Sequence, residues 1–331
     1  MLNFCTLFDS FYLIKGLALY ESLVSSSSNG VHLYVMAFDE ECYDKLLSLN
    51  LEHMTVELWT WFEKDRILEI KKERTRAEYC WSCGPSVIYH FLVDYNLPDV
   101  TYLDSDLYFV GSPLPLFDEI GEKSITITEQ GISEKSAKLY GKYCVQFLRF
   151  RNDEDGLSAL NWWKESCLQW CFQRFEDGKY GDQKYLDDFP VKFKNVHVIS
   201  NLGAGIAPWN MHKYIYSGND IQYKGRKYPM IFIHMHGFKI SLDDKILKIK
   251  ISDNYITEFE RRAFVNGYAK LIKTILAKYF GKEIISYNVK GQNIIERLEY
   301  KLRDLLRHNC VIQFLYFSFF KKTYRGHGLK I

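Results

Sequence analysis

Short apolar runs alternate with amphipathic stretches through the first 110 residues, and this alternation constrains the fold more than any other feature. The strand-like runs are "FCTLF" (4–8), "VHLYVMAF" (31–38), "TVELWTW" (55–61) and "VTYLD" (100–104). Between them, "LIKGLALYESLV" (13–24) has helical spacing, and "PSVIYHFLVDYN" begins with Pro85, which suits the first turn of a helix. Because strands that alternate with helices form mostly parallel sheets, we predict a doubly wound α/β fold.

The pattern changes twice after residue 110. Residues 124–252 mix strand-like runs, among them "YCVQFLRF" and "IFIHMHG", with the tryptophan-rich helical stretch "LSALNWWKESCLQWCFQRF" (157–175). From about residue 255 the pattern is helical and basic. We therefore predict one domain over residues 1–253 and a helical, basic and aromatic extension over residues 254–331.

Charge and hydropathy narrow the class of protein. The 331 residues carry a formal net charge of +2, so the chain as a whole has no strong attraction to nucleic acid, and none is expected as a partner. No apolar run approaches 18 residues, and the start "MLNFCTLFDS" lacks the charged segment of a signal peptide. The pairs "CWSC" and "CLQWC" do not complete a zinc site, so we expect a cytoplasmic protein with reduced thiols.

Two carboxylates, Asp104 and Asp106, follow the apolar run "VTYL". At this spacing they can bind one Mg²⁺ or Mn²⁺ ion and leave coordination positions open for phosphate oxygens. A solvated turn is the alternative. Ligands of open α/β sheets bind beyond the carboxyl ends of the strands, and apolar segments flank the pair on both sides, so we favour a site for a metal ion and a diphosphate.

Further polar residues are candidates for the same site. In "IFIHMHGFK", His234 and His236 alternate along a predicted strand, so we expect their rings on opposite faces and only one at the metal. In "GKYGDQKYLDDFP", Asp182 and Gln183 could hold sugar hydroxyls, although a helix N-cap by Asp182 is the favoured interpretation of that segment alone. The chain has no glycine-rich phosphate loop, so a bound diphosphate would depend on the metal.

In their order along residues 3–240, these motifs resemble GT-A-fold glycosyltransferases, above all glycosyltransferase family 8 and related bacterial surface-polysaccharide transferases. The resemblance implies a Rossmann-like, doubly wound mixed sheet with Mn²⁺ or Mg²⁺ as cofactor. The metal ligands that it implies are Asp104, Asp106 and His234, with His236 as the alternative. The nucleotide-sugar contacts are Thr6, Leu7, Asp9, Tyr12, Asp104, Ser105, Gly237 and Lys239. The catalytic candidates are Asp182, Gln183 and Gln146.

The match has individual agreements and departures. "LFDSFY" places Asp9 and Tyr12 as the family places its nucleoside contacts, with Leu7 where the family has alanine. The family often has Asn-x-Gly-Val on the strand beside the reacting carbon, whereas "YCVQF" places Cys144 and Gln146 there. The family spacing to the glycine that follows favours His234 over His236 as the third ligand, while Lys239 follows that glycine at a shorter spacing than the family lysine.

The resemblance implies transfer of a hexose from a nucleoside-diphosphate sugar, with a UDP-sugar favoured, to a glycan or glycolipid acceptor. It also implies retention of the anomeric configuration and a place in bacterial lipopolysaccharide, O-antigen or capsule synthesis. One alternative is a non-catalytic nucleotide-sugar or glycan-binding protein on the same fold, for which Cys144 and Gln146 are the support. The other is a nucleotidyltransferase, a class that normally has the N-terminal phosphate loop that this chain lacks.

The last part of the chain carries a hypothesis about location. Residues 290–331 contain nine basic and three acidic residues, interleaved with aromatic residues in "CVIQFLYFSFFKKTYR". Such a segment suits peripheral binding to an anionic membrane, here the inner face of the cytoplasmic membrane. A helix that packs on the domain with a charged outer face explains the same pattern equally well.

Overall fold

The computed structural model describes residues 1–27, 30–243, 245–251 and 264–290. The chain divides into two compact units, residues 1–236 and residues 237–331. The predicted boundary at 253/254 differs from this division. The basic segment 291–331 lies outside the described residues, so its packing or membrane binding stays a prediction.

The first unit alternates strands and helices along most of its length. Its strands are β1 (Leu2–Phe8), β2 (Val31–Ala37), β3 (Met54–Leu58), β4 (Asp99–Leu103), β5 (Leu107–Phe109), β6 (Ile125–Glu129), β7 (Tyr143–Arg151), β8 (Val196–Val198), β9 (Ala204–Ile206), β10 (Ile215–Ser217), β11 (Asp220–Tyr223), β12 (Arg226–Pro229) and β13 (Phe232–His234). Its α-helices are α1 (Leu13–Ser25), α2 (Glu40–Leu49), α3 (Asp65–Glu73), α4 (Arg76–Asp94), α5 (Leu114–Ile120), α6 (Glu134–Tyr140), α7 (Glu154–Gln169) and α8 (Phe189–Lys192). Short 3₁₀ turns are Trp59–Trp61, Gln183–Asp188 and Met211–Lys213.

A seven-stranded sheet with the order β3-β2-β1-β4-β7-β6-β8 forms the centre of this unit. Strands β1 to β4 are mutually parallel, whereas β7 runs antiparallel to both of its neighbours, β4 and β6. The carboxyl ends of β1 and β4 therefore share an edge with the amino end of β7. A smaller sheet, β5-β13-β9, continues from the chain that leaves β4, and β10-β11-β12 form a separate meander. The predicted doubly wound, mixed α/β fold is confirmed.

Helices α4 and α7 cover one face of the large sheet. Phe91 of α4 and Trp163 of α7 are fully buried in its hydrophobic core. The prediction that Pro85 opens a helix is wrong, because α4 begins nine residues earlier at a capping box in which Thr75 and Glu78 exchange hydrogen bonds. Pro85 lies inside α4, where it has no backbone N–H to donate to the helix ladder.

Two other predicted elements are shorter than expected. The strand predicted over 55–61 ends at Leu58 and is followed by the turn Trp59–Trp61. The helix predicted over 157–175 spans Glu154–Gln169, with Asp153 as its N-cap.

The second unit contains β14 (Phe238–Asp243), β15 (Ile246–Ile251), α9 (Asn266–Phe280) and β16 (Ser286–Lys290). β14 pairs antiparallel with β15, which pairs parallel with β16. α9 ends at Gly281, whose φ of +59° suits glycine. The described part of the predicted helical extension thus contains a strand as well as a helix. Within the residues described, no helix is long and apolar enough to cross a membrane.

Candidate active site

The chain that connects β4 to β5 places two aspartates at the carboxyl edge of the large sheet. The Asp104 amide donates to the Gln146 carbonyl on β7 at 3.1 Å, and the Leu107 amide donates to the Asp104 carbonyl at 3.1 Å. These two backbone hydrogen bonds hold Asp104 and Asp106 in a tight turn, with Ser105 buried between them. The expected carboxylate pair at a strand end is present in the structure.

Strand β13 brings His234 to this turn. It pairs antiparallel with β5, with His234 opposite Leu107, and the Met235 amide donates to the Asp106 carbonyl at 2.9 Å. The Nε2 atom of His234 lies 3.0 Å from Oδ1 of Asp106 and 3.7 Å from Oδ2 of Asp104. Backbone pairing therefore fixes the distance between residues that are far apart in sequence.

Among the described residues, two sets of side chains have ligand atoms within 4.8 Å of one another: Asp106 with His234 and His236, and Asp104 with Cys144 and His234. Mn²⁺ binds to carboxylate oxygens together with an imidazole nitrogen, whereas Mg²⁺ would bind mainly to the carboxylate oxygens. Burial raises the pKa of the Cys144 thiol, which keeps it a neutral group and a poor ligand for a hard cation.

The prediction that His234 and His236 point to opposite faces is wrong. Their ring centroids are 5.6 Å apart, and each ring lies 5.4 Å from the ring of Trp209. Strand β13 ends at His234, so the alternation of an extended strand does not reach His236. His234 is buried and His236 is exposed, but both belong to the cluster around Asp106.

The two aspartates have opposite electrostatic environments. Burial outweighs the nearby His234 and raises the pKa of Asp104 to about 6, with Asp106 adding to the increase. For Asp106 the balance reverses: burial opposes ionisation, but the charge and hydrogen bond of His234 and the charge of Lys15 lower its pKa. Burial likewise opposes the charged form of His234, yet Asp106 raises its pKa well above the usual value. Without a metal ion, Asp106 and His234 form a charged pair.

Lys15 is a site residue that the sequence reasoning did not identify. It lies on α1, is 5% exposed, and places Nζ 3.7 Å from Oδ2 of Asp106 and 4.5 Å from the centre of the Tyr12 ring. Burial lowers its pKa, and Asp106 opposes this decrease. The signal was a lone lysine in the apolar helix "LIKGLALY", since a buried lysine requires a charged partner.

Asp9, the predicted nucleoside contact, follows β1 at the same edge of the sheet. Its Oδ1 accepts the amides of Phe11 and Tyr12 at 3.0 and 3.3 Å, and its Oδ2 lies 2.5 Å from Nε of Arg76. Arg76 also pairs with Asp39 at 3.1 Å and stacks 4.4 Å above the Phe11 ring. Arg76, at the start of α4, was not identified from the sequence, because only the tertiary fold brings it to Asp9.

The remaining nucleotide-sugar candidates divide between the two units. Thr6 and Leu7 are buried within β1, and Leu7 belongs to the hydrophobic core. Gly237 and Lys239 belong to the second unit, so their proposed contacts with the donor stay predictions.

The N-cap interpretation of Asp182 is wrong. Asp182 precedes the 3₁₀ turn Gln183–Asp188, but its side chain makes no capping hydrogen bond. Burial and the charge of Asp104 raise the pKa of Asp182 to about 7. The Gln183 side chain donates from Nε2 to the Tyr140 carbonyl at 2.8 Å.

Two proteins of Bacillus subtilis are similar in sequence to most of this chain. The chain is 30% identical over 259 residues to the uncharacterised Bacillus subtilis protein YfnF. This match covers 74% of the chain and 84% of YfnF. The chain is also 29% identical over 248 residues to the uncharacterised Bacillus subtilis protein YfnD. That match covers 72% of the chain and 78% of YfnD. No protein-family model matches the chain.

Among solved structures, the fold is similar to that of the galactosyltransferase LgtC, crystallised with donor and acceptor sugar analogs. The TM-score is 0.54 with 12% identity, over 85% of this chain and 100% of the other. The predicted GT-A glycosyltransferase fold is therefore confirmed.

Proposed function

We propose that this chain, which belongs to the protein family of Bacillus subtilis YfnF and has the GT-A fold, transfers a hexose from a nucleoside-diphosphate sugar to an acceptor hydroxyl. One observation carries the proposal: Asp104, Asp106 and His234 converge at the carboxyl edge of the sheet, where open α/β folds bind their ligands. LgtC, of similar fold, binds donor and acceptor sugar analogs, which supports the same two substrate classes here.

The side chains that converge at this edge of the sheet support binding of a divalent cation. Asp104, Asp106 and His234 would hold Mn²⁺ or Mg²⁺, with His236 as an additional or alternative ligand. A bound cation supplies Lewis-acid stabilisation of the negative charge that develops on the departing diphosphate. Asp106, with one oxygen towards His234 and the other towards Lys15, is fixed in orientation before any ligand binds.

The other residues have proposed roles in the donor site. Asp182, whose pKa the charge of Asp104 raises, would orient the donor sugar and stabilise positive character at its anomeric carbon. Gln183 is a candidate for the same role, with its amide group held by the Tyr140 carbonyl. Asp9 and Tyr12 would contact the nucleoside, for which we favour uridine. The family resemblance supports retention of configuration, whereas an inverting route would need a carboxylate base near the acceptor. An NMR assignment of the anomeric proton of the product distinguishes the two.

The acceptor and the location belong to the same proposal. A glycan or glycolipid of lipopolysaccharide, O-antigen or capsule is the acceptor that the resemblance implies, and a lipid-linked acceptor would make peripheral membrane binding useful. The non-catalytic alternative on this fold makes one distinct prediction, which is binding of nucleotide sugar without its hydrolysis or transfer.

The test compares Asp106→Ala with Asp44→Ala, an exposed aspartate on α2. Purified proteins are screened with a panel of nucleotide sugars for Mn²⁺-dependent thermal stabilisation and then for release of the nucleoside diphosphate. We expect activity in the wild type and Asp44→Ala, and loss of release of at least 100-fold in Asp106→Ala, on the order of a lost electrostatic stabiliser. Unchanged turnover of Asp106→Ala at saturating Mn²⁺ would refute the assignment of the metal site. Donor binding by the wild type without turnover across the panel would favour the non-catalytic alternative.

A further inference from the structure

We infer that Gln146 is a positioning residue that fixes His234 in the form that binds the metal, an inference that rests on the proposed function. The resemblance makes it a catalytic candidate, but its side chain is fully buried near the amino end of β7, beside the carboxyl end of β4. Its carbonyl already accepts the Asp104 amide. A residue in this position can act on the substrate only through its neighbours.

The contact between the two side chains has a defined polarity. Oε1 of Gln146 lies 2.9 Å from Nδ1 of His234. A carboxamide oxygen only accepts hydrogen bonds, so Nδ1 must carry the proton. When a metal ion displaces the second ring proton, that proton leaves from Nε2, the atom that faces Asp106 and Asp104, and the lone pair of the ring is then on Nε2. Gln146 thereby presents the coordinating nitrogen of His234 to the two carboxylates.

The other end of the carboxamide supports this orientation. Nε2 of Gln146 is buried and has no hydrogen-bond partner among the described residues. It lies against Gly205, where an added Cβ would be 2.4 Å from Nε2. An unpaired buried N–H group is costly, so hydrogen bonding at that end does not explain a glutamine here. The oxygen end, which contacts His234, does explain it.

The reversed carboxamide would have the opposite effect. Its NH₂ group would donate to Nδ1, and the ring proton would then sit on Nε2, where it blocks coordination. This difference separates two substitutions. Glutamate offers only acceptor oxygens towards Nδ1, whereas methionine keeps a similar length and offers no comparable acceptor. Thr101→Val on the neighbouring β4 is the control, because Thr101 is equally buried and its Oγ1 has no described partner.

The experiment measures the affinity of the full-length chain for Mn²⁺ by calorimetry, with and without UDP, and the melting temperature of each metal-free variant in EDTA. We expect Gln146→Met to weaken Mn²⁺ binding by roughly 10–100-fold, as expected for the loss of the partner that orients a metal-ligating histidine. Its melting temperature should not fall below that of Thr101→Val, since the substitution also removes the unpaired N–H group. Gln146→Glu should restore Mn²⁺ affinity to within about threefold of wild type, as carboxylates also fill this role.

The outcomes distinguish a failure of the inference about Gln146 from a failure of the proposed function. Wild-type Mn²⁺ affinity in Gln146→Met overturns the inference, as does weak binding in both Gln146 variants. Parallel losses of affinity and melting temperature in Gln146→Met, matched by Thr101→Val, also overturn it, because they show only a packing role. If the wild type binds Mn²⁺ but turns over no nucleotide sugar, the proposed function fails and the inference about Gln146 is still decided by these affinities. Absence of Mn²⁺ binding by the wild type overturns both.

Discussion

Lys15→Met should change the stability of the metal-free protein and its affinity for Mn²⁺ in opposite directions. The side chains of Lys15 and Asp106 are 6% and 10% exposed, and their charged atoms are 3.7 Å apart. At an effective dielectric constant of about 20, unit charges at this distance attract by about 4–5 kcal/mol. Desolvation offsets part of this, and Asp106 keeps His234, so we expect a net loss of about 2–3 kcal/mol.

The same substitution should have the opposite effect on the affinity for Mn²⁺. Lys15 places a positive charge beside the carboxylate that would hold the cation, so its removal should tighten Mn²⁺ binding. We expect about a tenfold gain in affinity, equivalent to about 1.4 kcal/mol.

Thermal unfolding in EDTA and calorimetric titration with Mn²⁺ measure the two effects. The expected fall in melting temperature is about 4–12 °C for a domain of this size. Lys138→Met, an exposed lysine on α6, is the matched control and should show neither change. A Lys15→Met variant that melts with the wild type in EDTA would contradict the calculated attraction. Weaker Mn²⁺ binding would show that Lys15 supports the cation site and does not oppose it.

Three further substitutions test other parts of the structure. Thr75→Ala removes the hydroxyl of the capping box with Glu78 and should lower the free energy of unfolding by about 1 kcal/mol in urea denaturation, without changing Mn²⁺ affinity. Gly16→Ala places a methyl group 2.4 Å from Cζ of the buried Phe8 ring, so overpacking of about 1–3 kcal/mol should exceed the gain in helix propensity and lower the melting temperature. Cys144→Ser should leave Mn²⁺ affinity within about threefold of wild type and weaken Zn²⁺ binding more, because thiolates favour Zn²⁺; an equal loss for both ions would make Cys144 a general ligand.

The sequence was sufficient where the information is local. Strands β1, β2 and β4 are short apolar runs between turn signals, and Asp104 and Asp106 follow one of them, so their place at a sheet edge follows from the fold class. His234 could be added by resemblance because its spacing to the following glycine is also a local property.

The errors and omissions have tertiary causes. Alternation predicted opposite faces for His234 and His236, but it holds only within a strand, and β13 stops at His234. Lys15 and Arg76 lie on helices, and only the packing of α1 and α4 on the sheet decides which helix positions reach Asp106 and Asp9. The contact between Gln146 and His234 joins residues 88 positions apart, a distance over which local patterns carry no information.

That separation also sets an order of events during synthesis. The aspartate turn and β7 can form as soon as the first 151 residues are available, whereas His234 arrives with β13. At about 5–20 residues per second, the ribosome needs roughly 4–18 s to add the 88 residues between Gln146 and His234. During this interval the nascent chain contains Asp104 and Asp106 but not the imidazole of His234. Lys15 has already been synthesised and can offset the negative charge of Asp106. The lysine that we expect to weaken metal binding in the finished protein would thus offset the charge of Asp106 while the chain is still incomplete.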